Sequence, residues 1–337
     1  MGVAARSESN PSSPAASAAT SPATSQGASP GAVPASSVVP PGSPVHGEPA
    51  GVPARRRRRR HPLIAWIGFL LVIIPVLASL AAPWLATHDP NQVNLTQRLR
   101  PPSAEHWFGT DEVGRDLFSR VLDGGRRSIG AGLSVVLLAA SAGIIVGGIS
   151  GWVGGKLDLV LMRVMDIILA FPALVLAMAL AAALGPGLTS SVLAVAFVRI
   201  PVYVRLVRAQ VLSLREREYV EAAVAAGAPT WYILRRHLIP NSLPPVVVQA
   251  TLDAGSAMLL TATLSFLGLG VRAPAAEWGA MVNSGRVYLL DQWWYPTFPG
   301  AAILMTAMGF NLLGDYWRDR LDPRHGAAGR AAAEHRA

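Results

Sequence analysis

The chain has 337 residues, of which 51% are hydrophobic and only 15% charged, with a positive mean hydropathy. That balance over this length excludes a single soluble domain and puts most of the chain in a bilayer. Cysteine is absent, which excludes disulfides and thiolate metal sites, and the formal net charge of +9 has to be explained by where the basic residues fall.

Residues 1–60 are rich in Ser, Pro, Ala and Gly, a composition that buries too little apolar surface to offset chain entropy, so a disordered cytoplasmic tail is expected. It ends in six arginines, Arg55 to Arg60. Such a block can be a nucleic-acid patch, but directly before an apolar run it reads as a topological anchor on the cytoplasmic face. The first span falls in 61–86, with its apolar run from Leu63 to Ala86. It is longer than the core of a cleaved signal peptide, so an uncleaved helix is expected. Residues 87–128 follow as an extracytoplasmic segment. There Thr110 suggests a helix cap with Asp111 and Glu112 in the first turn and Arg115 and Arg120 beyond; a cation held by Asp111, Glu112 and Asp116 is the alternative.

Residues 129–318 form the core, with further runs of roughly 20 residues or more, long enough for about 30 Å of hydrocarbon. They lie at Ile129–Val153, Leu157–Leu184, Leu188–Leu212, Pro245–Gly270 and Tyr295–Trp317, giving six spans in all. Gly143, Gly147, Gly151 and Gly155 recur every fourth residue and predict a close helix contact. Arg163 and Asp166 are spaced to pair. Arg199, just before Pro201 in the fourth span, and Asp253 in the fifth are ionisable groups at membrane depth; they predict either a translocation path or a buried ion pair. Residues 319–337 form a cytoplasmic tail. With the first anchor inside, the inner loops collect many of the arginines, so orientation in membrane lipid accounts for the positive balance and no nucleic-acid partner is implied.

The inner loop at 213–241 is polar and alanine-rich. Ser213 and Glu216 match a capping box, Ala222, Ala223, Ala225 and Ala226 favour a slim helix, Gly227 can end it in a left-handed conformation, and Pro229 prevents its resumption. Arg235, Arg236 and His237 add a polar face, and Pro240 with Asn241 is expected to turn the chain back to the membrane. An ordinary interfacial amphipathic helix is the plainer reading of the same residues.

The loop resembles that of ABC importer permeases, whose pattern is E-A-A, three residues, Gly, nine residues, I-x-L-P. Glu221, Ala222, Ala223, Gly227 and Pro240 stand at those positions, with His237 in place of the isoleucine. F-G-T-D-E-V-G-R-D from Phe108, L-S-F-L-G-L-G from Leu264 and N-L-L-G-D-Y-W-R-D-R-L-D-P-R from Asn311 narrow the resemblance to the C-type subunit of the dipeptide, oligopeptide and nickel group. The resemblance implies an all-α integral membrane bundle of six helices with the type I ABC importer permease fold. It also implies a B-type permease, two ATP-binding subunits or domains, an extracytoplasmic substrate-binding protein and a peptide substrate, with nickel chelates or other small solutes as the alternative. Glu221, Ala222, Ala223, Gly227, His237 and Pro240 would then couple the bundle to the ATPase, and Arg199 and Asp253 are candidates for the path. Arg199 and Asp253 replace the small residues more usual in the family, and Thr261 stands where a glutamate is more usual.

No catalytic role is expected of the chain itself. Its one lysine, Lys156, follows G-W-V-G-G but precedes Leu, so the hydroxyl residue of a phosphate-cradling loop is missing. The histidines, among them His61, His88, His106, His237 and His325, look scattered and no metal or cofactor is expected. An ion-coupled secondary transporter is the reading from another class, but the inverted repeat that would support it is not evident.

Overall fold

The computed structural model describes residues 62–321, so the expectations for the N-terminal tail, its arginine block and the residues after 321 lie outside the described part. The described residues are helical throughout, apart from connections and one isolated bridge. The helices are α1 (Pro62–Leu80), α2 (Ala82–Leu85), α3 (Leu117–Val153), α4 (Gly155–Ala170), α5 (Ala173–Leu184), α6 (Leu188–Leu214), α7 (Glu218–Ala225), α8 (Thr230–Ile233), α9 (Ile239–Phe266), α10 (Trp278–Gly285) and α11 (Trp294–Leu321). Five stretches are long and apolar enough to cross a membrane, and the α4–α5 pair makes up to six. The all-α bundle therefore stands. The third predicted span does not run straight, because α4 and α5 meet at 95° where Phe171–Pro172 breaks the helix.

The most extensive interface joins α3 to α6. Its cause is the glycine stripe: a Cβ at Gly143 would lie 2.2 Å from Tyr203 Cβ, one at Gly147 2.5 Å from the Val204 carbonyl oxygen, and one at Gly151 2.9 Å from Val211 Cβ. Without side chains the two backbones approach closely, which is how helices gain contact in lipid where burial alone gives little drive. Gly155 is not part of the stripe; it opens α4 in open space. The surrounding core is built of Ala and Val from α3, α5, α6 and α9, with α11 packed on α9 and α1 on α11.

At 37 residues α3 is roughly 55 Å long, so it overshoots a 30 Å hydrocarbon layer and starts well before the predicted Ile129. That extra length carries a polar hub. Arg120 donates to the carbonyls of Pro90 and Pro274, Arg126 to those of Ser79 and Leu80, and Arg127 to Asp123 and the carbonyl of Ala276. These arginines, outside the inner loops, thus hold two connections against α3. Glu277 completes the hub: it caps α10 through the Gly279 and Ala280 amides and accepts from the Ser128 hydroxyl.

α4 is held to α6 by ions. Arg208 donates to both oxygens of Asp158 at 2.5 and 2.6 Å, and Arg205 pairs with Asp166. Asp166 thereby bridges two helices instead of pairing with Arg163 one turn away.

Candidate functional site

The loop after α6 differs from its expected start. Arg215 ends α6, and α7 begins at Glu218 with Arg217 as N-cap and no side-chain cap bond, so the Ser213–Glu216 capping box does not form. Both residues fall on the last turn of the preceding helix or just after it, too early to meet the free amides of α7. The other end is as its sequence suggests. Gly227 has φ +78°, the left-handed conformation that closes a helix at low cost only in glycine.

α7 is fastened by one face. Val220 is buried and Ala223 half-buried against Ile233, Leu234 and Leu238, while Glu218, Tyr219, Glu221, Ala222, Val224 and Ala225 are exposed. Glu218 and Glu221 lie in the first turn, where the helix dipole favours them. The exposed face is therefore acidic at its start, narrow and partly apolar.

Pro240 and Asn241 do not turn the chain. From Thr230 to Phe266 the backbone is one continuous helical span, with a π-helical turn at Leu234–Leu238 in which the Ile239 amide donates to the Leu234 carbonyl. The widened turn directly precedes Pro240, which has no N–H and whose ring would press on the carbonyl four residues back. Asn241 Nδ2 donates to the His237 carbonyl at 2.5 Å, so the side chain folds back along the helix. The His237 ring lies 6.0 Å from Tyr219 and 5.7 Å from Tyr232, so it links the start of α7 to α8.

A second centre joins α6 and α9. Arg199 Nη1 is 3.0 Å from Asp253 Oδ1, its Nη2 donates to the Ser256 hydroxyl at 3.1 Å, and the Tyr203 hydroxyl donates to Asp253 Oδ2 at 3.2 Å. Asp253 is closed in, with a side chain 3% exposed, whereas Arg199 keeps 25% of its surface open. Arg199 Nε is buried and has no partner among the described residues. The sequence points to Arg199 and Asp253 but misses Tyr203 and Ser256, although Tyr203 lies one turn after Arg199 and Ser256 three residues after Asp253. Tyr203 is also the side chain pressed against Gly143, so the ion pair is fixed by the α3–α6 contact.

The connection from 87 to 116 corrects two further expectations. Thr110 does not cap a helix: its hydroxyl bonds the Gln97 carbonyl and the Arg100 amide, and it bridges to Asp116, which is the N-cap of α3. Nor do Asp111, Glu112 and Asp116 converge on a cation. Asp111 pairs with Arg115 at 2.6 Å and Arg120 at 3.5 Å, Glu112 accepts from the Tyr295 hydroxyl, and Asp116 accepts from His106 and Ser119. Burial, opposed by the backbone amide of Glu112 and added to by the charge of Asp111, holds the Glu112 carboxyl above the ordinary glutamate range. The histidines are not all scattered either: His88 and His106 meet with ring centroids 4.7 Å apart.

Comparison with known proteins agrees with this architecture. The family described as binding-protein-dependent transport system inner membrane component matches residues 143–326, and the N-terminal TM domain of oligopeptide transport permease C matches residues 53–102. A probable D,D-dipeptide transport system permease protein of Escherichia coli is 60% identical, over 76% of this chain and 86% of that protein. A dipeptide transport system permease protein of Alkalihalophilus pseudofirmus is 43% identical, over 77% and 86%. A nickel transport system permease protein of Escherichia coli is also 43% identical, over 75% and 92%. The chain therefore belongs to the family of binding-protein-dependent transport system inner membrane components, as a multi-pass C-type permease subunit of the peptide and nickel group of ABC importers.

Proposed function

We propose that this chain forms one half of the translocation pore of an ATP-driven importer of di- or oligopeptides, receives force through α7 and hydrolyses no ATP itself. The observation that carries the reading is the one-sided attachment of α7: Val220 and Ala223 face the bundle, while Glu221, Ala222 and their neighbours are left open beside the left-handed Gly227. In this reading the open face sits in a groove of an ATP-binding subunit. The π-helical turn and His237 keep α7 at a fixed angle to α9, so a push on the loop reaches Asp253 along one continuous helix. The remaining partners are a B-type permease, a second ATP-binding subunit or domain and an extracytoplasmic binding protein.

The Arg199–Asp253 pair supports a place in the path. A guanidinium with a quarter of its surface open can meet a carboxylate end, and the Asp253 oxygens behind it are satisfied by Tyr203 and Ser256 away from bulk solvent. Peptide cargo is favoured by the names of the more similar relatives, whereas the nickel permease at 43% identity names another cargo.

The cysteine-free chain suits a direct test. A single cysteine at residue 222 should react with maleimide in inverted vesicles, be protected when the assembled complex is purified with its ATPase, and stay unlabelled from outside intact cells. Labelling from outside, or purification in mild detergent without an ATPase, overturns the coupling role. Uptake of a labelled dipeptide against Ni²⁺ by cells expressing the whole assembly decides the cargo.

A further inference from the structure

The connection from 87 to 116 holds a feature separate from the loop and the ion pair described above. His106 Nδ1 lies 2.9 Å from Asp116 Oδ1, and its Nε2 lies 3.1 Å from Gln97 Oε1. The Gln97 oxygen is not open to reassignment as nitrogen. It accepts from Asn94 Nδ2 at 3.2 Å, and Asn94 is itself oriented because its Oδ1 accepts from the Thr96 amide at 3.2 Å and hydroxyl at 2.6 Å. Nδ1 is thus engaged by the Asp116 carboxylate, which leaves Nε2 as the ring nitrogen free to bind a ligand. Nε2 and the Gln97 oxygen face one another on the other side of the ring.

Two further ligand residues gather around the His106 ring. One ring nitrogen of His88, one of His106 and a carboxylate oxygen of Glu105 lie within 4.8 Å of one another. His88 Nδ1 is engaged by the Thr87 hydroxyl at 3.1 Å, which leaves its Nε2 as the donor. Asp116 stands behind His106 as the carboxylate that fixes tautomer and ring orientation of a metal-bound histidine. Around a metal with bonds of about 2.0–2.2 Å, tetrahedral donors sit roughly 3.3–3.6 Å apart, so the 3.1 Å contact is near that spacing already. Glu105 is exposed and closes the remainder by rotating its side chain. A groove lined by Ala86, His88, Asp89 and Ser119 gives a way in beside His88.

The geometry points to a divalent transition-metal site of the zinc class, formed by His88, Glu105, His106 and the Gln97 side-chain oxygen, with Asp116 orienting His106. Nitrogen and oxygen donors without thiolate suit Zn²⁺ or Co²⁺ better than Ca²⁺ or Mg²⁺. The ion closes the segment after α2 onto the segment before α3, at the opposite end of α3 from α7. This inference does not rest on the transport reading.

The test uses the full chain purified in detergent on a tag free of histidine. Zn²⁺ competed against a chromophoric chelator should bind at one equivalent, and Co²⁺ should give tetrahedral visible absorption. His88→Ala and Glu105→Gln, both on side chains open to solvent, should each weaken Zn²⁺ by about tenfold or more. Zn²⁺ should raise the thermal midpoint of the wild type and not of the H88A/E105Q double variant, because only a native-state ligand stabilises. No equivalent bound at micromolar Zn²⁺, or one bound equally by the double variant, overturns the site.

Discussion

Two connections of this bundle are built on opposite plans. Between residues 87 and 116, Asp111, Arg115 and Asp116 are buried and their charges are spent on one another, on Arg120 and on the cap of α3. Between residues 215 and 239, Glu218, Glu221, Tyr219, Val224, Trp231 and both Arg235 and Arg236 face outward, and the loop is fastened through Val220, Ile233, Leu234 and Leu238. Buried charge without its partner is costly, so the Asp111, Arg115 and Asp116 part of the first connection is satisfied from within the chain. A loop with one apolar anchor and a decorated open face is stable alone yet has chemistry left over for a partner. The difference separates a frame from a handle within one chain.

The sharpest way to break this contrast is to exchange effects between the two ends. Asp111→Ala removes the acceptor of Arg115 Nε and of the Val113 and Arg115 amides, leaving Arg115 only Glu112 at 3.6 Å and the buried Arg120 only backbone carbonyls, which should cost about 3 kcal/mol. Thermal melting in detergent reads this as loss of most folded protein. Glu221→Lys on the exposed loop should change stability by no more than about 0.5 kcal/mol. Its expected effect is on uptake, reduced by about tenfold, equivalent to about 1.4 kcal/mol of lost docking, with the permease still present in the membrane. If Glu221→Lys melts the protein as Asp111→Ala does, the handle is part of the frame.

Arg199→Met sits between the two plans. It strands Asp253, which keeps only Tyr203 and Ser256, so a cost of about 3 kcal/mol is expected in the single variant and recovery of most of it in R199M/D253L. A structural pair and a path pair part company in transport. Uptake restored along with stability in the double variant removes both residues from the path, whereas a stable double variant that still fails to take up peptide keeps them there. Gly227→Val follows in size, at about 1–2 kcal/mol for forcing a branched residue to positive φ. There a Cβ meets open space, so the cost is conformational and should fall on the angle of α7, lowering uptake per ATP hydrolysed.

The legible parts of the molecule were those written in local pattern. Apolar length marked the spans, glycine spacing marked the α3–α6 contact, and Gly227 marked the end of α7, because each is decided by neighbours in sequence. What stayed hidden was decided across the bundle. Asp166 has Arg163 one turn away, yet Arg205 from another helix reaches it first; Thr110 is a good cap, yet Asp116 stands closer to the first amides of α3. The π-helical turn before Pro240 answers a steric demand that a turn satisfies equally well on paper. His88 and His106 are 18 positions apart and meet only because the intervening segment folds back on α3.

The finest test of the frame concerns Glu112, whose proton folding favours. Burial raises its carboxyl above the ordinary value, and the acceptor it offers to the Tyr295 hydroxyl survives protonation. The sign follows from linkage: a carboxyl raised in the folded state contributes stability fully below its unfolded value and loses it as pH rises through the folded one. Glu112→Gln keeps shape and acceptor while removing the charge. Its melting midpoint should therefore match that of the wild type near pH 4 and exceed it by only about 1 °C near pH 8, since the side chain is 28% exposed and Arg115 lies 3.6 Å away. A lower midpoint for Glu112→Gln at pH 8 would mean that the ion pair with Arg115 outweighs burial.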